Sequence, residues 1–332
     1  MRVAVIKGGV GAEREVSLVT GAAVADALRG EGFAVEEVDA RPASLLDDLV
    51  AAAPDVVFNA LHGDWGEGGE VQTLLDGRGY AYTHSGAAAS RLAMDKDATK
   101  RALAAHGVGV AHGETVARGV VAEGGAMAVP YVVKPNGSGS SASVYLVHEE
   151  TPELLARIGA DAGLGERPVV ERYVPGRELT VAVMDGHAMG VTEIVPRGWY
   201  SYAEKYGEDA ARHVLPAEIP DAVRATCLAW AETAHRVLGC AGLTRTDFRW
   251  DAETLTEDNG SQTDAANGLV TLELNTQPGM TPTSLAPEQA AWVGLSFGEL
   301  CRWIVEDAAC RRLTNTFGDK LGERATEPGQ PG

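Results

Sequence analysis

Two apolar runs, Leu243–Trp250 and Leu269–Asn275, carry the sharpest chemical pattern in the chain. Side chains two residues apart on a strand share a face, so Arg245 projects with Asp247, and Glu273 with Asn275. If the two strands are neighbours, Asp, Glu and Asn oxygens gather beside one guanidinium. Hard oxygen donors of this kind suit Mg2+, with phosphate oxygens and water completing its shell. The competing reading is plain alternation on a solvent-facing sheet. Against it, Glu273 lies between Leu272 and Leu274, and the strand runs into the polar turn Asn275-Thr276-Gln277-Pro278-Gly279-Met280.

Three further groups could do chemistry. Lys134 ends an apolar strand and precedes Pro135 and the loop Asn136-Gly137-Ser138-Gly139-Ser140-Ser141. Such a loop can turn backbone N–H groups and hydroxyls toward phosphate oxygens; its other reading is a flexible hairpin. It lacks the Gly-Lys-Ser/Thr ending of a P-loop. His62 closes a third strand, the place where open α/β sheets bind ligands; it reads equally as a loop histidine packed near a turn. Gly9-Val10-Gly11 supplies two glycines of a dinucleotide fingerprint, but Arg14 stands at the third. Glu13 and Glu15 then place negative charge at a helix start, which repels a pyrophosphate and suits an ammonium group. Alone, Glu15 would be an ordinary helix-start acid.

The elements that must position these groups follow from periodicity and breakers. Val3–Ile6, Phe33–Val38 and Asp55–Ala60 read as strands, with a helix from Arg14 to Leu28 between the first two. This β-α-β alternation predicts a parallel sheet with helices on its faces. Ala87–His106 reads as a helical linker and helix, and Tyr131–Lys134, Val169–Glu171 and Glu178–Met184 as strands. Asp185-Gly186 is a tight hairpin signal leading into Ala188–Thr192. Asp221–Leu238 is a helix between Pro220 and Gly239. Trp199 to Gly207 and Thr254 to Gly268 read as polar loops, and Phe297 to Arg311 as a last amphipathic helix. The tail after Leu313, rich in Gly, Pro and charge, reads as disordered.

The chain has 332 residues, which sets the expectation of two or three domains. Its formal charge of −19 argues against a nucleic-acid or anionic-membrane surface, which needs basic patches. A local basic pocket for a nucleotide stays compatible with it. Cys227, Cys240, Cys301 and Cys310 form no CxxC pair, so reduced thiols are expected rather than disulfides or zinc. The apolar start, Val3–Ile6, is too short for a signal peptide, and no run reaches membrane-spanning length. The expectation is a cytoplasmic protein with no membrane insertion.

The motifs in order are similar to those of one family. Gly11-Ala12-Glu13-Arg14-Glu15-Val16-Ser17-Leu18 resembles the N-terminal signature of D-alanine–D-alanine ligases. Ala60-Leu61-His62-Gly63 with Gly66-Glu67, Ala93-Met94-Asp95-Lys96, and Tyr202-Ala203-Glu204-Lys205-Tyr206 resemble further signatures, the last being the family's ω-loop. Leu272-Glu273-Leu274-Asn275-Thr276-Gln277-Pro278-Gly279-Met280-Thr281 resembles its final motif. The matches span roughly Arg2 to Arg311.

The resemblance implies an ATP-grasp fold, α/β and α+β, with an N-terminal parallel-sheet (Rossmann-like) domain. The expected division is residues 1–86 for substrate binding, 87–188 for the central ATP-grasp part, 189–312 for the C-terminal catalytic part and 313–332 as a tail. It implies Lys96 and Lys134 on ATP phosphates, with Ser140 and Ser141 in the loop that closes over them. Glu171, Tyr173, Val174 and Glu178 would hold the adenosine. Asp247, Glu273 and Asn275 would hold two Mg2+ (or Mn2+) ions. Glu15, His62 and Arg245 would frame the first D-alanine, Lys205 and Tyr206 would act from the ω-loop, and Gly279, Ser284 and Leu285 would line the second amino-acid site. The implied activity is ATP-dependent ligation of two D-alanines through a D-alanyl phosphate for peptidoglycan precursors, by a homodimer. Alternatives are a ligase for another small D-amino or hydroxy acid, and a non-catalytic nucleotide-binding paralogue. Ser138, Ser143, Asp64 and Gly68 depart from the usual pattern, and none of them is assigned to chemistry.

Overall fold

A computed structural model describes residues 1–138, 143–195, 211–255 and 268–308. Ser140, Ser141, Lys205, Tyr206, most of the loop from Thr254 to Gly268, and the tail lie outside the described residues.

The first sheet has the order β2-β1-β3-β4, all parallel, with β1 Arg2–Gly8, β2 Ala34–Ala40, β3 Val56–Asn59 and β4 Ala81–Tyr82. Its central strand is apolar at every position from Val3 to Ile6 because both faces are covered. Val3 and Val5 pack with Val24, Ala25 and Leu28 of α1 (Arg14–Gly30). Ala4 and Ile6 pack on the other face with Leu45 and Leu49 of α2 (Leu45–Ala52). The last helix, residues 297–308, adds Leu300, Ile304 and Val305 to the first of these cores. Two short helices follow β3: α3 (Asp64–Glu67) and α4 (Glu70–Asp76).

The segment between the sheets is helical as expected, in two pieces: α5 (Ala87–Met94) and α6 (Lys96–Ala104). Asp95 divides them. Its backbone is extended, and its carboxylate accepts the Ala98 N–H at 2.9 Å, capping α6. The same oxygen accepts the Asn136 side-chain amide at 3.0 Å. This cap makes Lys96 the first residue of α6 and ties it to the loop after Lys134.

The second sheet is antiparallel, in the order β5-β8-β6-β7: β5 Gly113–Thr115, β8 Val169–Arg172, β6 Tyr131–Lys134 and β7 Tyr145–Val147. Helices α7 (Arg118–Glu123) and α8 (Pro152–Ala160) are linked with it, and Tyr131, Val133 and Val170 share a core with Val121 and Ile158.

The third sheet is also antiparallel, in the order β11-β10-β9-β12-β13. It comprises β9 Arg177–Met184, β10 His187–Val195, β11 Arg212–Val214, β12 Leu243–Trp250 and β13 Leu269–Asn275. The Asp185-Gly186 hairpin forms as expected: both residues have positive φ (52° and 75°), the backbone of a two-residue type I′ turn. Strand β9 pairs on both sides within this sheet, so residues 177–184 belong to the same sheet as β12 and β13. Helix α9 (Asp221–Val237) covers one face, with Val223, Cys227 and Ala231 packed on Leu179, Val181, Val183 and Phe248. On the other side, Gln289 of α10 (Leu285–Trp292) is fully buried. It accepts the Ala182 N–H at 2.8 Å and donates to the Thr180 carbonyl (3.1 Å) and the Thr192 hydroxyl (3.0 Å).

Among the described residues no helix is long and apolar enough to cross a membrane. Cys227, Cys240 and Cys301 are free, and burial pushes each thiol up to about 12; Cys310 lies outside the described residues.

Asp95→Ala should cost about 1 kcal/mol through loss of the cap. We expect a melting midpoint about 2 °C lower by calorimetry; an unchanged midpoint would show that the α5–α6 junction does not depend on this carboxylate.

Candidate active site

Helix α9 takes one face of the third sheet; the candidate residues lie on the opposite face, part of which α10 covers around Ala182. Three cross-strand rows lie there. Thr180 of β9 pairs with Asp247 of β12, which pairs with Glu273 of β13. The next row is Ala182, Arg245 and Asn275, and on the other side Glu178 stands opposite Arg249. The strands expected to be neighbours are therefore paired. The register shifts between Asp247 and Phe248, where Leu272 is the extra residue. Without that bulge, the buried Leu269 and Thr271 would fall on the site face. Its presence lets β13 bury them and still present Glu273 beside Asp247.

Asp247 is buried and fully engaged. Arg245 donates to both of its oxygens, at 2.9 and 2.7 Å, and the Thr180 hydroxyl donates to Oδ1 at 2.6 Å. Asn275 Oδ1 accepts the Gln277 N–H at 2.7 Å. Among the described residues no group of three or more His, Cys, Asp or Glu side chains could hold a metal by itself. The donor set here is two carboxylates and an amide, all hard oxygens. That fits a cation such as Mg2+ only where phosphate oxygens and water supply the remaining ligands.

The lysines form the adjoining wall. Lys134 at the end of β6 and Glu171 of β8 are diagonal neighbours on one sheet face. Lys134 Nζ lies 2.5 Å from Glu171 Oε1, and Lys100 Nζ of α6 lies 2.8 Å from Oε2. Burial raises the Glu171 carboxyl, but the two ammonium charges outweigh it and hold the pKa below the ordinary carboxylate value. Lys96, one turn before Lys100, donates to the Ser138 carbonyl at 2.6 Å and lies 3.5 Å from Glu273 Oε2. Lys96 therefore joins the lysine wall to the carboxylate face. Tyr173, Val174 and Glu178 gather around Arg249. Its guanidinium lies 5.9 Å from the Tyr173 ring centroid, donates to the Val174 carbonyl at 3.2 Å, and sits 3.6 Å from Glu178.

The first sheet contributes the His62 turn. His62 is buried; its Nδ1 lies 3.1 Å from Glu67 Oε1 and its Nε2 3.1 Å from the Thr20 hydroxyl. Gly63 has φ +80°, a backbone conformation that strains any L side chain, and a Cβ there would also displace a Glu13 oxygen 2.5 Å away. The Ser17 hydroxyl accepts the Gly8 N–H and donates to the Ala60 carbonyl, both at 2.8 Å, which pins α1 between β1 and β3. Glu15 stands exposed on the first turn of that helix. Arg14, at the third glycine position of a dinucleotide turn, pairs with both oxygens of Asp39 at 2.8 Å. The Gln277 side chain donates to the Leu61 carbonyl, tying the His62 turn to the turn after β13. Beyond that turn, Ser284 Oγ lies 2.7 Å from the Thr281 hydroxyl and accepts the Thr281 N–H at 3.1 Å. A Cβ on Gly279 would lie 3.2 Å from Ser284 Oγ, so Gly279 and Ser284 are adjacent, and Leu285 opens α10.

The structure thus brings together Lys96, Lys134, Glu171, Glu178, Tyr173, Val174, Arg245, Asp247, Glu273 and Asn275, and links the His62 turn to the Gly279 turn. Sequence reasoning missed Lys100, Arg249, Glu67 and Gln277. Arg249 carried a signal, since it follows Arg245 and Asp247 at the same two-residue step. A separate cavity of about 650 Å3 between β2 and α2 is lined by Arg2 and by the four acids Glu36, Glu37, Asp39 and Asp48, a balance of charge unsuited to a nucleotide.

Gln277→Leu leaves the buried Leu61 carbonyl without its partner, a loss of about 1–3 kcal/mol. We expect faster hydrogen–deuterium exchange over residues 61–63 and unchanged exchange in β6 and β8. Unchanged exchange at 61–63 would show that Gln277 does not hold this turn.

The chain is similar to known proteins over nearly its whole length. The family model described as "D-ala D-ala ligase C-terminus" matches residues 114–306, which include the third sheet and all of the second but Gly113. A D-alanine–D-alanine ligase from Ruegeria sp. (strain TM1040) is 52% identical over 314 residues, covering 94% of this chain and 97% of the relative. One from Dinoroseobacter shibae is 54% identical over 313 residues, covering 94% and 96%. The crystal structure of D-alanine–D-alanine ligase from Bacillus anthracis complexed with ATP superposes with a TM-score of 0.76 at 25% identity, covering 95% of this chain and 99% of that one. Likeness in sequence and in fold runs through nearly the whole length, and with it the chain belongs to the D-alanine–D-alanine ligase family.

Proposed function

We propose that this chain joins two D-alanine molecules to D-alanyl-D-alanine at the expense of ATP, releasing ADP and phosphate. The observation that carries the reading is Lys96. It links the lysine wall of β6 and β8 to the Asp247–Glu273 face, so a phosphate-bearing nucleotide and its cations have adjoining places. The relatives and the superposed structure carry the same activity in their names.

In this reading Lys96 and Lys134 hold the ATP phosphates, with Ser140 and Ser141 closing over them. Glu171, Tyr173, Val174 and Glu178 hold the adenosine. Asp247, Glu273 and Asn275 are the residues that would bind two divalent cations, Mg2+ or Mn2+. When bound, such cations neutralise charge on the transferring phosphoryl group. Glu15 takes the ammonium of the first D-alanine, and His62 and Arg245 frame it. Its carboxylate oxygen attacks the γ-phosphorus, and ADP leaves. Lys134 offsets charge on the phosphoryl oxygens, since positioning and electrostatics dominate such transfers. The amine of the second D-alanine, placed by Gly279, Ser284 and Leu285, attacks the acyl carbon. Phosphate leaves and the amine loses a proton. Arg245 and the Gly279 N–H stabilise the oxyanion on the way. Lys205 and Tyr206 act from the ω-loop, which excludes water from the acyl phosphate.

The same reading gives three structural parts: the first parallel sheet to about residue 86, a central part bearing the second sheet, and a C-terminal part bearing the third. It also makes the protein a cytoplasmic homodimer that supplies peptidoglycan precursors and binds no nucleic acid.

The test is phosphate release from Mg-ATP with D-alanine, L-alanine, or D-alanine plus D-lactate, with products weighed by mass spectrometry. The expected result is release with D-alanine alone, a D-alanyl-D-alanine mass, and loss of both in excess EDTA. A depsipeptide as main product in the mixture would make the chain a D-lactate ligase. No release with D-alanine would overturn the reading.

A further inference from the structure

Lys100 has no role in the scheme above, yet it is among the most buried charged groups of the molecule, 5% exposed. It sits one turn after Lys96 on α6, so both side chains leave the same face of that helix. Their contacts differ. Lys96 reaches the Ser138 carbonyl and Glu273, whereas among the described residues Lys100 pairs with Glu171 alone, 2.8 Å from Oε2. Lys134 takes the other oxygen, Oε1. Glu171 is itself 3% exposed and fixed in the sheet between β5 and β6.

One carboxylate shared by two ammonium groups leaves a net charge of +1. A Lys134–Glu171 pair alone would be neutral, and a neutral pair exerts little attraction on phosphate. Removing Lys100 would also free both Glu171 oxygens to close on Lys134 and draw its ammonium back into the sheet. We propose that Lys100 is a positioning residue for nucleotide binding: by occupying one oxygen of Glu171, it leaves Lys134 with uncompensated charge directed at the phosphates. Lys100 touches no substrate; it acts through Glu171. The inference rests on the reading that Lys134 binds ATP phosphates.

The test is calorimetric titration of the full-length protein with Mg-ATP, in the absence of D-alanine, and separately with adenosine. Lys100→Met should weaken ATP binding at least about tenfold, equivalent to about 1.4 kcal/mol. Adenosine lacks the phosphates that Lys134 attracts; because Glu171 also faces the adenosine in this reading, its affinity should fall too, but by no more than about threefold, clearly less than that of ATP. Lys100→Arg keeps the charge and should restore ATP binding to near the unsubstituted value. If Lys100→Met does not fold, Lys100→Gln, which keeps a hydrogen-bond donor without charge, carries the same expectation. Equal loss of ATP and adenosine would mark Lys100 as a structural support only and overturn the proposal, as would unaltered ATP binding. Lys134→Met serves as the control. If it weakens ATP binding while Lys100→Met does not, the inference fails alone; if Lys134→Met leaves ATP binding unchanged, the reading of the phosphate site fails with it.

Discussion

The antiparallel register of β12 against β13 sets Asp247 opposite Glu273 and Arg245 opposite Asn275, and much of the candidate site follows from it. A slip of one residue would turn every side chain of β13 to the other face. Three features resist that slip. Leu272 takes up one residue in a bulge, Leu269 and Leu274 are buried, and Thr180 locks Asp247 from the β9 side. Gln289 then secures β9 and β10 from α10, and α10 is also the helix that begins beside Ser284 and Leu285. The backbone that presents the carboxylates is thus continuous with the backbone proposed for the second amino-acid site.

Charge is arranged against the average of the chain. The formal net charge is −19, yet Lys96, Lys100, Lys134, Arg245 and Arg249 converge around a few carboxylates. Each of these cations is held by an acid, and burial strengthens each pairing by lowering the local dielectric. The groups are oriented before any ligand arrives, which reduces the reorganisation that phosphoryl transfer would demand. The first sheet joins through ties that include Gln277 to the Leu61 carbonyl, Ser85 to the Ala241 backbone, and the core shared by β1, α1 and the last helix.

Much of this was legible in the sequence because it depends on local pattern. Both-sided burial made Val3–Ile6 a continuous apolar run, Asp185-Gly186 fixed a hairpin, and the two-residue steps 245, 247 and 273, 275 named the site face before any pairing was known. What could not be read depends on distant partners. Lys100 acquires meaning only because β8 brings Glu171 to α6, 71 residues away. Gln277 matters through Leu61, 216 residues away. The membership of β9 in the third sheet is set by its pairing with β12, since its own sequence is equally suited to either antiparallel sheet. Asp95 was quoted as part of a motif, but its work as a cap that divides α5 from α6 required the Asn136 contact to be seen.

The central claim is that a carboxylate oxygen of D-alanine becomes an oxygen of the released phosphate. D-alanine labelled with 18O in both carboxylate oxygens, turned over with unlabelled Mg-ATP, tests it most directly by mass analysis of the phosphate. The account predicts one 18O in each phosphate released alongside dipeptide. Phosphate free of 18O, with its new oxygen drawn from water, would contradict an acyl phosphate and with it the chemistry assigned to this site.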